Sequence, residues 1–300
     1  MLLYAPAYYK DFHCIADKCR HNCCIGWEID VDGASLKKYQ SLTQGYSTTI
    51  KESVETDPTP HFRLDAKKRC PHLDENGLCR IISELGEDYL CEICREHPRF
   101  YNFTPRGAEL GIGLACEEAC RIILSSDHFK LEAIGEIDGD GEDYYFDPLI
   151  KRQEIFNVLS DPDLSHSKKL QSIAGHFDPE ALQIEEEALK KLLGSLEYLN
   201  EEDKAIICDY SSDVPLKEAL ETPLERALGY FVYRHCSNSQ SSEEFQSTLW
   251  FSLLCYSILR SVCHKNKVKT KEELIPYARM FSEEIEYSED NTDTLTSFIF

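Results

Sequence analysis

The chain has 300 residues, 42% hydrophobic and 11% aromatic, with 54 acidic against 32 basic residues and a formal charge of −22. That is enough apolar material for a buried core without disulfide staples, which excludes a disordered chain and a small disulfide scaffold. The charge repels nucleic-acid phosphates and anionic membrane surfaces, and suits a basic partner such as a lysine-bearing protein.

In chain order, Met1–Pro6 lacks the basic opening of a secretory signal. The longest uncharged, apolar-leaning run, Phe245–Leu259, is interrupted by Gln246, Ser247, Thr248, Ser252 and Ser257. It is shorter than the roughly 20 residues a membrane span needs. The expectation is a cytoplasmic protein, in which thiols stay reduced unless a metal or a reaction claims them. Next comes "CIADKCRHNCCIGW", with Cys14, Cys19, Cys23 and Cys24 close together. The stretches "DVDGAS", "DPTPH", "DENG" and "TPRG" follow, so the first half reads as loops and short helices gathered around something. The acidic, glycine-rich segment 135–145 reads as a linker. Asp138, Asp140 and Glu142 within it do not complete a calcium loop.

The second half has helical signals. Asp178-Pro179-Glu180 opens a helix with an apolar stripe of Ile184, Leu189, Leu192, Leu193 and Leu196. Thr222-Pro223-Leu224-Glu225 and Thr270-Lys271-Glu272-Glu273 are capping boxes. Between them "FQSTLWFSLLCYSILRSVC" is apolar on most sides and reads as a central buried helix. The fold class expected is mainly α. A loop-rich, cysteine- and metal-binding part, residues 1–134, packs on a C-terminal helical bundle, residues 146–300.

Ten of the 14 cysteines fall between Cys14 and Cys120. Cys208, Cys236, Cys255 and Cys263 lie in apolar helical patterns and read as small core residues. Cys70 and Cys79 flank the "DENG" turn, Cys91 and Cys94 form a C-x2-C pair, and Cys116 and Cys120 share one helical face. One tetrahedral zinc takes four thiolates, and so does one cubane iron–sulfur cluster. Ten thiols exceed either demand, and no zinc-ribbon or ferredoxin spacing is complete. The residues alone give a cysteine-bound metal of open identity, either stapling the fold or serving catalysis.

The motifs "FHCIADKCRHNCCIGWEIDVD", "CPHLDENGLCRIISELGEDYLCEICREHPR" and "LACEEACRIIL" together resemble the flagellin lysine-N-methylase family, part of a wider group of zinc- or iron-chelating proteins. "YFVYRH" and "YARMFSEEIEYSEDN" resemble that family's C-terminal segments, so the likeness runs from about Tyr8 to Asn291. It implies metal ligands at Cys14, Cys19, Cys23, Cys24, Cys70, Cys79, Cys94 and Cys116, with Cys91 and Cys120 as additions. His72 and His97 stand where the family has aromatic residues, and both read as ordinary hydrogen-bonded histidines.

The resemblance further implies methyl transfer from S-adenosylmethionine to lysine side chains of flagellin, in a protein carrying an iron–sulfur cluster of the 4Fe-4S kind, or zinc. The sequence itself does not show the donor site. "GIG" at Gly111–Gly113 is too short for a nucleotide-binding loop, and the C-x3-C-x2-C radical signature fails at adjacent Cys23-Cys24. Tyr89, Tyr101, Tyr230, Tyr233, Glu283, Glu284 and Glu286 sit in family-like segments as candidate bases. Arg99 is a candidate partner for a carboxylate or a cluster sulfur. A non-enzymatic zinc adaptor and a cluster-dependent oxidoreductase are the competing readings. Oligomeric state has no signature in the sequence.

Overall fold

The computed structural model describes residues 1–126, 129–137, 146–176 and 185–298. It divides into two compact units, His13–Pro98 and a larger one made of Met1–Phe12 with Arg99–Phe300. These are not the segments 1–134 and 146–300 expected from composition. The reason lies in β1 (Leu2–Pro6), which hydrogen-bonds to strands far along the chain and so binds the first twelve residues into the larger unit.

The smaller unit holds α1 (Gly33–Ser41), α2 (Ser47–Glu52), β2 (Val54–Glu55), β3 (His61–Phe62), α3 (Arg80–Leu85) and α4 (Glu92–Glu96). Helices this short do not stand alone in water, so packing and caps must hold them. The Asp32 carboxylate caps α1, with Oδ1 accepting from Ala34 N–H at 3.1 Å and Ser35 N–H at 2.9 Å. Its Oδ2 accepts from Glu92 N–H at 2.8 Å, which ties the start of α4 to the start of α1. Tyr39, Tyr46, Ile50, Phe62 and Ile81 form the core together with Cys70 and Cys91. The "DENG" turn folds back as expected, with a bridge between Leu73 and Cys79.

In the larger unit β4 (Arg99–Thr104) and β5 (Gly107–Ile112) form a hairpin, α5 (Glu117–Ile123) follows, and β6 (Leu131–Glu136) returns to the sheet. The strand order is β4-β5-β1-β6, with β1 parallel to β5 and antiparallel to β6. The reading of this region as loops missed the sheet. Every residue of β5 is buried, so the strand shows no alternation to read. Gly135 and Glu136, expected in the linker, pair with β1. Residues 138–145 lie outside the described residues.

The rest is helical: α6 (Pro148–Ser160), α7 (His166–Ala174), α8 (Glu186–Ser195), α9 (Glu201–Cys208), α10 (Glu218–Cys236), α11 (Ser242–Lys265), α12 (Lys271–Phe281) and α13 (Glu289–Thr296). With 13 α-helices among the described residues the fold is mainly α, as expected. The central helix of the sequence reading is α11, buried through Trp250, Phe251, Cys255, Ile258 and Leu259. It packs along α10, and Leu224, Leu228 and Phe231 of α10 complete that core. Thr270 caps α12, its hydroxyl accepting from Glu273 N–H at 3.3 Å.

The box at Thr222 does not open a helix. α10 begins a turn earlier and runs through Pro223, where the missing N–H costs a single bond to Ala219. The opening expected at Asp178 lies outside the described residues. α12 ends in a π-turn, Ser282–Glu286, the kind of local widening that often accompanies functional residues. Among the described residues no helix is long and apolar enough to cross a membrane.

Candidate functional site

All the candidate ligands but Cys116 lie in the smaller unit. Cys23 and Cys24 sit on a turn fixed by Asn22, whose Oδ1 accepts from Cys24 N–H at 3.0 Å. Cys70 N–H donates to Cys24 C=O at 2.8 Å and brings the second thiol segment alongside. Cys79 precedes α3 at its N-cap, and Cys91 precedes α4 in the same way. Cys94 lies one turn into α4.

Burial and neighbouring thiols perturb the ionisation of several of these sulfurs. The Cys24 thiol is driven far up by its hydrogen bond to Cys23, by burial, and by Cys70 and Cys79 nearby. Cys94 is driven up by its hydrogen bond to Cys91, by burial, and by Cys24 and Cys70. Burial, with Cys79 and Cys91 close by, pushes Cys70 up to about 12. Cys79 is raised by burial as well. Cys91 moves the other way, its thiolate favoured by the Cys94 thiol. The arrangement is two hydrogen-bonded pairs, Cys23 with Cys24 and Cys91 with Cys94, flanked by Cys70 and Cys79.

Cys91, an addition to the set implied by the resemblance, is buried and lies beside Cys94. Its signal was the C-x2-C spacing at a helix start, which sets two thiols on one helical face. Cys14 is exposed, and Cys19 donates to His21 C=O at 2.5 Å. Cys116 belongs to the larger unit, where it lies near Cys120. His72 is fully buried with both ring nitrogens engaged, by Tyr46 Oη and Ser53 Oγ at 2.9 Å each, which leaves no nitrogen for a metal. Burial holds His97 down at about 4.

The candidate bases separate by environment. Burial pushes Tyr230 and Tyr233 far above the ordinary tyrosine range, so neither serves as a base near neutral pH. Glu284 is raised to about 7 by burial and by Asp203 and Glu283 nearby. Glu286 is fully buried and accepts from His235 Nε2 at 2.7 Å. Tyr89 lies in the smaller unit, where its C=O accepts from Tyr39 Oη at 2.7 Å. Arg99 Nε donates to Tyr9 Oη at 2.8 Å, and its guanidinium lies over the Phe12 ring.

No family model matches the chain, and no solved structure matches it. A curated relative does. The flagellar biosynthetic protein FliU of Salmonella muenchen is 30% identical over 127 residues, 40% of this chain and 75% of that protein. The chain belongs to the flagellin lysine-N-methylase family. The lysine-N-methylases of Salmonella choleraesuis (strain SC-B67) and Salmonella typhimurium (strain LT2) are each 30% identical over 129 residues, 40% of this chain. The chain spans 32% of the length of those two enzymes. The matched part is shorter than the Tyr8–Asn291 span that the motifs suggested.

For this lysine-N-methylase family member the question is whether the thiols suit a metal or cluster. Among the described residues no group of three or more His, Cys, Asp or Glu side chains converges closely enough to hold a metal ion. The donors nevertheless fit in kind, since soft thiolates are the ligands of zinc and of iron–sulfur clusters. Four of them ionised in this half-buried setting would repel one another unless a cation offset the charge.

Proposed function

We propose that this chain is an S-adenosylmethionine-dependent protein-lysine N-methyltransferase acting on lysine side chains of flagellin. We further propose that its thiol cluster holds an iron–sulfur cluster, with four of Cys23, Cys24, Cys70, Cys79, Cys91 and Cys94 as ligands. Family membership supports the reaction, because both relatives named for an activity are lysine-N-methylases. The gathering of those six thiols in one small unit supports the cluster. When bound, such a group supplies positive charge that offsets the thiolates and cross-links the segments that carry them.

The protein's own task is to bind a lysine, strip its proton and exclude water. A lysine of ordinary pKa about 10.4 is protonated near neutral pH and cannot attack a methyl group. Desolvation and a nearby base must lower that barrier. The chain's charge of −22 suits the capture of a basic substrate, and reduced thiols suit a cytoplasmic setting. Among the described residues no disulfide forms.

The test is anaerobic purification, then iron, zinc and acid-labile sulfide analysis, with methylation of purified flagellin followed by mass spectrometry. Iron and sulfide in equal amounts, about four of each per chain, together with methylated lysine, support the reading. Zinc without sulfide, and no methyl transfer, would replace it with a zinc-stapled adaptor. Reversible electron uptake without methyl transfer would replace it with an oxidoreductase.

A further inference from the structure

The larger unit contains a cleft of about 310 Å³ that the thiol cluster does not account for. Tyr101 of β4 lines one side, Arg234 and His235 of α10 another, and Glu286, Glu289 and Asp293 a third. Glu286, with 0% side-chain exposure, accepts from His235 Nε2 at 2.7 Å and lies 3.8 Å from Arg234 Nε. Its second oxygen, Oε2, is also buried, with no hydrogen-bond partner among the described residues.

Arg234 is fixed in place. Its guanidinium lies 4.9 Å from the Phe100 ring and 4.6 Å from the Tyr287 ring, and it donates to Tyr230 Oη at 2.9 Å. Its charge is thus directed at Glu286 and at ring faces. Burial would raise the Glu286 carboxyl, but the His235 hydrogen bond and the Arg234 charge outweigh it and hold the carboxylate ionised. Burial holds His235 below the usual imidazole range, against the pull of Glu286. His235 is therefore neutral near pH 7. With Nε2 donating to Glu286, the ring's lone pair lies on Nδ1. This is a carboxylate-oriented imidazole, the arrangement of a general base.

The charges on the cleft decide what it takes. Three carboxylates, Glu286, Glu289 and Asp293, face one guanidinium and one neutral imidazole. Glu289 and Asp293 are four residues apart on one face of α13, and both are exposed. The surplus is negative, and Tyr101 supplies an aromatic wall for methylene groups. An alkylammonium fits this, whereas a carboxylate or phosphate does not.

We propose that this cleft is the acceptor site for a lysine side chain, and that His235 takes the proton from its ammonium. The N–H bond of the ammonium breaks, its electron pair stays on the amine nitrogen, and the proton passes to His235 Nδ1. Glu286 then stabilises the imidazolium. This rests on the methyltransferase reading, which it deepens by naming the acceptor site.

The test titrates the full chain with Nα-acetyl-lysine methylamide and, separately, with its norleucine counterpart, following histidine ring signals by NMR. Flagellin methylation is measured in parallel. The lysine probe binds at least tenfold more tightly than the norleucine probe. The Glu289→Gln/Asp293→Asn double variant, altered only at exposed positions, loses at least tenfold of that preference. His235→Gln keeps probe binding but methylates about a hundredfold more slowly at pH 7, recovering as pH rises toward the lysine's own pKa.

Equal binding of the two probes, or a preference unchanged in the double variant, overturns the proposal. Methylation by the wild-type chain that neither variant disturbs overturns it too, while leaving the methyltransferase reading intact. Selective lysine binding lost in the double variant, with no methyl transfer by any form, upholds the amine site and sinks the methyltransferase reading instead.

Discussion

The Glu109–Arg152 pair offers the sharpest test of how the larger unit is held together. Glu109 lies on β5, between its neighbours β4 and β1, and Arg152 reaches it from α6. The two side chains are 3% and 4% exposed. Arg152 donates to both carboxylate oxygens, at 2.5 and 2.8 Å, and to Ser237 Oγ at 2.5 Å. Its guanidinium also lies over the Phe156 and Tyr233 rings.

Arg152→Met keeps much of that volume but strands an ionised carboxylate inside the sheet. Removing one partner of a buried pair costs about 3–5 kcal/mol, most of it the penalty on the charge left behind. Glu109→Leu/Arg152→Met removes both charges and is expected within about 1 kcal/mol of wild type. The molecule has two tryptophans, Trp27 in the smaller unit and Trp250 buried in α11. In a Trp27→Phe background, Trp250 fluorescence reports urea unfolding of the larger unit alone. If Arg152→Met cost less than about 1 kcal/mol, or if the double variant were no more stable than the single, the pair would not carry the energy assigned to it.

Other outcomes follow from the same geometry. Asp32, whose carboxylate is held at about 2 because the Ser35, Glu92 and Ala34 N–H groups outweigh burial, caps α1. Asp32→Ala should cost the smaller unit about 1–2 kcal/mol by Trp27 fluorescence, and a loss under about 0.5 kcal/mol would contradict its role. Glu284 is raised from 4.5 to about 7, so between those values the folded state binds the extra proton. Its contribution is fully present below pH 4.5 and is lost as pH rises through about 7, on the order of 3 kcal/mol. Glu284→Gln should flatten that slope, and an unchanged profile would assign it elsewhere. Cys91→Ser should cut metal and sulfide content by at least half while Cys14→Ser leaves both unchanged, and the reverse pattern would restore the ligand set implied by resemblance. Gly229→Ala would place a methyl 1.9 Å from the Phe129 ring, so a loss of about 1–3 kcal/mol is expected in thermal melts.

The helical half was legible because its signals are local. Thr270 caps where a capping box was read, and the apolar run around Leu254 is the buried α11. The sheet was not, because its pairings are remote: Leu3 aligns with Ala108, and neither segment alternates in a way that declares a strand. The thiols were legible as a group but not as a subset, since which sulfurs meet depends on turns that spacing does not encode. The "GIG" stretch is instructive. It failed as a nucleotide loop, and the structure gives the glycines another reason. A Cβ on Gly111 would lie 2.2 Å from the Phe100 ring, and one on Gly113 would lie 2.2 Å from Tyr287 Oη. Phe100 and Tyr287 are the two rings that hold Arg234, so the glycines make room for that clamp.

The placement of β1 before the thiol-bearing unit has a consequence for biosynthesis. The strand leaves the ribosome before the thiol-bearing unit, and its partners β5 and β6 follow only after all of His13–Pro98 has been made. Until then β1 is an unpaired edge, a template for wrong pairings and a natural client for a chaperone. The thiol-bearing unit, by contrast, has its whole sequence in hand while the larger one is still incomplete. That unit can therefore begin to fold before the sheet is complete.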